Sequence, residues 1–344
     1  MVSIPSTLCS SKDRQMKIAV YTIAKNEQQF VEKWYNSCKE ADYLLIADTG
    51  STDATLPCAY QLHIPTIDIC VSPWRFDDAR NSALTALPAD IDVCIALDMD
   101  EVLVPGWRSI VEAAWIEGYT DRLRYNYVWS WNEDGSPGLT YFGDKIHARH
   151  GFRWVGPVHE VLQKNRLMPE ERQTYIQETL IEHYPDHSKS RSSYLKLLEL
   201  AVKEDPWNDR NAHYYARDLL FAGRYEEAMT EFKRHLALPT ALWHSERAAS
   251  QRYLGDCYWA LGQQKEAIDC FLDAIVTAPD EREGYVALAQ AHRALGQWEY
   301  VISCCQQALK IKERPRSYLN QPWAWGTWPQ EMLDEALAKV KQHG

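Results

Sequence analysis

With 344 residues the chain has room for two domains of ~100–200 residues each, and its 46% apolar content excludes a disordered or fibrous protein. A formal net charge of −11 argues against a generic polyanion binder. No apolar run reaches the ~20 residues of a membrane span, residues 1–16 lack the apolar core of a secretory signal, and the nine cysteines contain no C-x-x-C pair; together these point to a cytoplasmic protein with reduced thiols and no membrane partner.

Residues 1–16 read as a loose leader. Order begins with the strand Lys17-Ile18-Ala19-Val20-Tyr21-Thr22-Ile23, the polar loop Ala24-Lys25-Asn26-Glu27 and a helix whose Phe30, Val31, Trp34, Tyr35 and Cys38 share one face. The plan repeats: Ala41 to Ala47 is a strand, and Asp48-Thr49-Gly50-Ser51-Thr52-Asp53 turns into the next helix with Gly50 at the bend. A third short strand spans residues 67–71, and a helix entered through Trp74 and Arg80 packs through Ala83, Leu84 and Leu87.

The fourth strand, Val93-Cys94-Ile95-Ala96-Leu97, runs straight into Asp98-Met99-Asp100-Glu101. An apolar run of this length is a strand buried on both faces, and ligands of open α/β sheets sit at the carboxyl ends of such strands. Two neighbouring carboxylates are either solvated or hold a cation between them, and a nucleoside diphosphate brings both a divalent ion and negative charge. Alternating strands and helices predict a parallel sheet, whose carboxyl edge would gather residues 25–27, Asp48, Arg80 and residues 98–101.

Residues 122–131 alternate with period two and predict a hairpin returning at Tyr141-Phe142. Its Tyr and Trp row is either core or a platform for a sugar or acceptor. Lys145, His147, Arg149, His150 and Arg153 form a basic stretch, either a solvated loop or a clamp on phosphate or acceptor. Residues 154–162 read as one strand carrying His159 and Glu160 on opposite faces, so that only one of them faces a site; Glu160 is the better general base. His183, ending a strand at residues 179–185, is either a structural histidine or the imidazole that an acid-rich metal site lacks.

Beyond Pro185 the pattern is helical and repetitive. Leu254, Gly255, Tyr258, Gly262, Ala267, Phe271, Ala274 and Pro279 match the tetratricopeptide pattern, and Gly296 follows Gly262 at the expected spacing of 34 residues. An earlier copy carries Ala216, Gly223, Tyr225, Ala228 and Phe232, a helix over residues 192–202 joins the copies to the sheet, the Trp-rich residues 322–329 turn onto the last copy, and residues 331–340 form a capping helix.

The first-strand loop, the Asp48 to Thr55 turn, Ala79-Arg80-Asn81 and Leu97-Asp98-Met99-Asp100-Glu101 together resemble family 2 glycosyltransferases of the GT-A fold. With the repeats attached, the chain resembles bacterial and phage proteins of that architecture, including the peptide S-glycosyltransferases of glycocin clusters. The resemblance implies an α/β GT-A domain over residues 17–190 with a mostly parallel, Rossmann-like sheet, followed by an all-α tetratricopeptide domain over residues 191–344. It implies a metal-dependent, inverting hexosyl- or pentosyltransferase with a UDP-linked sugar donor. Thr22, Ala24, Asn26, Glu27, Asp48, Arg80, Asp98 and Met99 would hold the donor, and Asp100 and His183 would hold Mn2+ or Mg2+. Glu160, with His159 as alternative, would act as base, and Trp129, Trp131, Lys145, Arg149 and Trp154 would meet a peptide or protein, glycan or nucleobase acceptor. Thr49 departs from the common Asp-Asp-Gly-Ser form of the second motif. The repeats would recruit the acceptor or form a homodimer, and the competing expectation is a non-catalytic repeat scaffold with a relic sheet domain.

Overall fold

The computed structural model describes residues 15–186 and 194–343. The leader, apart from Gln15 and Met16, and the expected boundary at residues 190–191 lie outside the described residues. Strand and helix alternate through β1 (Ile18–Ala24), α1 (Val31–Cys38), β2 (Tyr43–Asp48), α2 (Thr55–Gln61), β3 (Thr66–Asp68), α3 (Phe76–Ala86) and β4 (Val93–Ala96). β1 pairs in parallel with both β2 and β4, and β2 with β3. Almost every side chain of β1 and all of β4 are buried, which is why both strands read as continuous apolar runs. α1 covers one face with Val31, Trp34 and Cys38, and the Trp34 indole donates to the Leu97 carbonyl at 3.0 Å, tying the helix to the end of the fourth strand.

The chain continues through β5 (Glu101–Leu103), α4 (Trp107–Ala114), β6 (Arg122–Val128), β7 (Thr140–Ala148), β8 (Phe152–Val155), β9 (Val161–Lys164) and β10 (Gln173–His183). Among the described residues the main sheet has eight strands in the order β3-β2-β1-β4-β7-β6-β10-β5. The predicted parallel sheet is therefore only the first half. The β6–β7 hairpin inserts antiparallel to β4, β10 returns parallel to β6, and β5 closes the edge antiparallel to β10. A mixed sheet follows because a hairpin needs only a short turn, whereas each parallel step needs a longer crossover, supplied by helices in the first half and by β7 to β9 between β6 and β10.

The expected strand over residues 154–162 is two strands, β8 and β9, paired as a separate hairpin. Gly156 at φ 108° followed by Pro157, which lacks an N–H, breaks the ladder, and His159 at φ 50° completes the turn.

The helical part runs through α5 (Tyr194–Glu204), α6 (Asp209–Phe221), α7 (Tyr225–Ala237), α8 (His244–Ala260), α9 (Gln264–Thr277), α10 (Arg282–Ala294), α11 (Trp298–Lys310), α12 (Pro322–Trp325) and α13 (Trp328–His343). Within the pairs α8/α9 and α10/α11, Gly262 and Gly296 take positive φ at the bend, where a side chain would be strained. The segment after α11 folds back over α8 and α10. Tyr318 donates to Glu246 at 2.9 Å, and the Gln321 backbone N–H and the Trp325 indole both donate to Glu283. This cover explains why α8 and α10 are buried around most of their circumference. The same segment reaches the sheet, where Tyr318 packs edge-on against Tyr141 and Arg316 donates to Gln177 at 2.5 Å.

Candidate active site

A cavity of about 890 Å3 opens at the carboxyl ends of β1 and β4, lined by Ala24, Asn26, Glu27, Arg80, Asp98 and Asp100, with Met99 in its wall. The two predicted loops form one body. Thr52 N–H donates to the Asn26 side chain at 2.7 Å, Asn26 N–H donates to Ser51, and Glu27 N–H donates to Thr55. Asp48 is spent inside this body: its carboxylate accepts from the backbone of Gly50 and Ser51 and from the Ser51 hydroxyl, and it is buried outside the cavity lining. Thr22 is fully buried and donates to the Ile23 carbonyl, so it supports the strand and does not reach the cavity. Both placements have one cause: a side chain within a paired strand or a tight turn bonds to the local backbone.

Behind the cavity lies a charge network. Arg80 donates through Nη2 to Asp98 at 2.7 Å and through Nε to Glu160. Lys145 donates to Asp98 at 2.6 Å and to Glu101 at 2.7 Å, and Glu101 also accepts from the Tyr127 hydroxyl at 2.6 Å. Burial would push the Asp98 carboxyl up, but Arg80 and Lys145 outweigh it and hold the group well below the ordinary carboxylate range. Burial likewise opposes the charge on Lys145, and Asp98 and Glu101 reverse that and raise it well above an ordinary lysine. Lys145, expected at an acceptor, is the counter-ion of two carboxylates and also lines a second, smaller cavity beside the first. Glu101 is 1% exposed and is the anchor of the network, with its Oε2 accepting the Asp98 N–H.

Asp100 faces His183, with Nε2 and Oδ2 3.3 Å apart. His183 Nδ1 lies 2.9 Å from the Trp129 carbonyl, an acceptor only, so Nδ1 carries the proton in the neutral ring and Nε2 presents its lone pair to Asp100. Two acceptors facing each other need a proton or a cation between them. Burial pulls the imidazole down in pKa, and the hydrogen bond and charge of Asp100 more than restore it, for a net rise. Asp100 and His183 are the residues that would hold a Mn2+ or Mg2+ ion in place of that proton, leaving the rest of its shell to ligand oxygens. Among the described residues no group of three His, Cys, Asp or Glu side chains forms a metal site on its own.

The aromatic residues serve the same corner. Trp129 stacks on His183 at 4.4 Å between centroids, and the Trp131 indole donates to the His183 carbonyl at 3.1 Å while its ring stacks on Tyr184. Both are half-buried against the histidine and its backbone. Trp154 is 4% exposed, donates to the Tyr21 hydroxyl at 2.8 Å and carries Arg80 over its ring at 5.0 Å. Arg149 is remote from this edge, donating to the carbonyls of Thr85, Leu87 and Pro88 where α3 ends, a use of a cation that the open carbonyls of a helix C-terminus favour.

A second cavity of about 230 Å3 adjoins the first across Arg80 and Asp98. His159 and Glu160 both line it, so the expectation that only one of them faces a site fails. The turn between β8 and β9 removes the two-residue alternation on which that expectation rested. Tyr194 and Arg210, brought by α5 and α6, line the same cavity, and sequence patterning carried no signal for either.

Two tetratricopeptide-repeat family models match the helical part, one over residues 254–281 and one over residues 285–317. The chain carries C-terminal tetratricopeptide repeats. Similar solved structures include a MamA protein, 18% identical over 44% of this chain and 79% of that one with a TM-score of 0.32, and MamA from Desulfovibrio magneticus RS-1, 18% identical over 44% and 82% with a TM-score of 0.31. The Cut9-Hcn1 hetero-tetramer of the APC/C is 16% identical over 41% of this chain and 26% of that one, with a TM-score of 0.34. No curated protein sequence matches the chain. Among the described residues no helix is long and apolar enough to cross a membrane. The face of α8 and α10 that a repeat array commonly offers to a partner is covered by the chain's own residues 317–325.

Proposed function

We propose that the chain is a metal-dependent, inverting glycosyltransferase of the GT-A type, moving a sugar from a UDP-linked donor to a peptide, glycan or nucleobase acceptor. The observation that carries this reading is the convergence of Arg80, Asp98 and Asp100 on one large cavity at the carboxyl edge of the parallel strands, with Glu160 one ion pair away. That edge is where open α/β sheets bind nucleotides. Asn26 and Glu27 line the same cavity and would meet base and ribose.

The residues divide the work in a definite way. Arg80 offers a guanidinium to the donor phosphates, and Asp100 with His183 offers a carboxylate and an imidazole to the ion. Mn2+ or Mg2+, when bound, supplies the positive charge that offsets the leaving diphosphate. Inversion asks for a base across the sugar from the leaving group. Glu160 is paired to Arg80 in the free protein; a diphosphate that draws Arg80 toward itself releases the Glu160 carboxylate to take the proton of the acceptor nucleophile. Base activation is thereby linked to donor binding.

Thermal unfolding with UDP-sugars in the presence of Mn2+ or Mg2+ tests the reading, because a ligand of the folded state raises the midpoint. The expected result is a metal-dependent rise with UDP-sugars. No shift with any nucleotide sugar at millimolar concentration would favour a repeat scaffold with a relic sheet domain.

A further inference from the structure

The second cavity contains a cation with no ion-pair partner among the described residues. Its carboxylates are each held by other residues: Glu160 by Arg80, Asp98 by Arg80 and Lys145, and Asp144 by Arg122 at 3.3 Å and Arg124 at 3.2 Å. Arg210 lines the cavity with them, yet among the described residues no carboxylate forms an ion pair with it; burial opposes its charge, and the ring hydroxyls of Tyr214 and Tyr318 with the more distant Asp144 and Glu246 restore it. Its one hydrogen bond there runs from Nη1 to the His159 carbonyl at 2.6 Å, and its guanidinium lies 5.0 Å over the Tyr214 ring. That ring stacks in turn on His159 at 4.2 Å, so the arginine is held in place from two sides. Arg80, 6% exposed and lining the same cavity, keeps an Nη1 with no hydrogen-bond partner.

A half-buried guanidinium held in place with no carboxylate at ion-pair distance is open to an anionic ligand, and its planar fork of N–H groups matches a carboxylate or phosphate. We propose that the second cavity is an oxyanion subsite in which Arg210, contributed by the first helix of the repeat region, receives a carboxylate or phosphate of the molecule bound there. Its size suits a group no larger than one sugar ring or one side chain. Resting on the glycosyltransferase reading, that molecule is the acceptor, and it carries an oxyanion beside the nucleophile that Glu160 deprotonates. The helical region then selects the acceptor from inside the site, while its outer face stays covered by residues 317–325.

The test uses the full chain, saturated with UDP and Mn2+ to fill the first cavity, and titrates inorganic phosphate and acetate separately by calorimetry. Saturable binding of one anion per chain is expected. It should weaken about tenfold or more in Arg210→Met, be partly retained in Arg210→Lys, and leave UDP affinity unchanged in both. The Lys variant guards against a folding defect, as does an unaltered circular dichroism spectrum of the Met variant. A preference for phosphate would identify a phosphorylated acceptor and a preference for acetate a carboxylate. Equal anion binding in wild type and Arg210→Met, or no saturable binding in wild type, would overturn the subsite. Failure of UDP to bind at all, with Arg210-dependent anion binding intact, would sink the glycosyltransferase reading and leave the subsite standing.

Discussion

Arg80 and Glu160, 80 residues apart in the chain, meet as an ion pair with both side chains nearly buried, and the same guanidinium holds Asp98. Removing Arg80 therefore strands Glu160 and leaves Asp98 with Lys145 alone. Arg80→Met is expected to cost ~3–5 kcal/mol of stability, the usual penalty for breaking a buried pair from one side. Urea denaturation measures the loss, and a change below ~1 kcal/mol would show that water reaches these carboxylates freely.

Asp100→Ala removes the partner of His183 and, under the proposed function, a ligand of the ion. Metal-stimulated hydrolysis or transfer of UDP-sugar should disappear; undiminished turnover would take Asp100 out of the metal site. Glu160→Gln should abolish transfer while UDP-sugar affinity by calorimetry stays close to wild type. An equal loss of affinity would make Glu160 a binding residue.

Glu283 receives the Gln321 N–H at 3.0 Å and the Trp325 indole at 2.8 Å through one oxygen, and is itself buried. Glu283→Ala leaves two donors without an acceptor, at ~1–3 kcal/mol each. The covering segment should then release first, so limited proteolysis is expected to cut within residues 311–327 before any site in the sheet. An unchanged digestion pattern would show that aromatic packing alone holds the segment.

His213 lies fully buried, 2.7 Å from the Ser250 hydroxyl and 5.6 Å between ring centroids from His235. Burial, opposed by Glu246 and reinforced by His235, Arg217 and Arg252, pushes its pKa down to about 3. Between the ordinary value of 6.5 and that value, the unfolded chain binds a proton that the folded chain does not. Stability must therefore fall as pH drops below ordinary histidine titration, by up to about 1.4 kcal/mol per pH unit from this group. Urea midpoints at pH 7, 6 and 5 should decline in wild type and decline less steeply in His213→Gln; parallel slopes would show that other groups carry the dependence.

A Cβ built on Gly255 would stand 2.5 Å from the Phe271 ring, which is buried in the contact between α8 and α9. Gly255→Ala gains helix propensity of up to ~1 kcal/mol but forces the ring to move, at ~1–3 kcal/mol. Net destabilisation is expected from thermal unfolding, and a raised midpoint would mean that Phe271 has room to shift.

The repeats were legible because each helix pair buries the same positions at a constant spacing: Gly255, Ala267 and Phe271 are dictated by contacts within about 20 residues. The strand-loop-helix alternation up to residue 97 was legible for a similar reason, since β1 and β4 are buried on both faces and announce it as unbroken apolar runs. Asp98, Asp100 and Arg80 could be placed at one edge because parallel strands all end there.

What the sequence by itself determined is thus everything governed by local period: the alternating elements, the acidic strand end and the repeat pattern. Only the tertiary structure decided which partner each charge meets. Lys145 sits between Asp98 and Glu101 because β7 pairs antiparallel with β4, and neither strand's pattern records that register. His159 and Glu160 share a cavity because Gly156 and Pro157 fold their stretch into a hairpin turn. Arg210 enters the site because α6 packs against that turn. A side chain's facing within one element follows from periodicity, but its meeting with a residue 50 to 80 positions away follows from strand order and packing, which are properties of the whole fold.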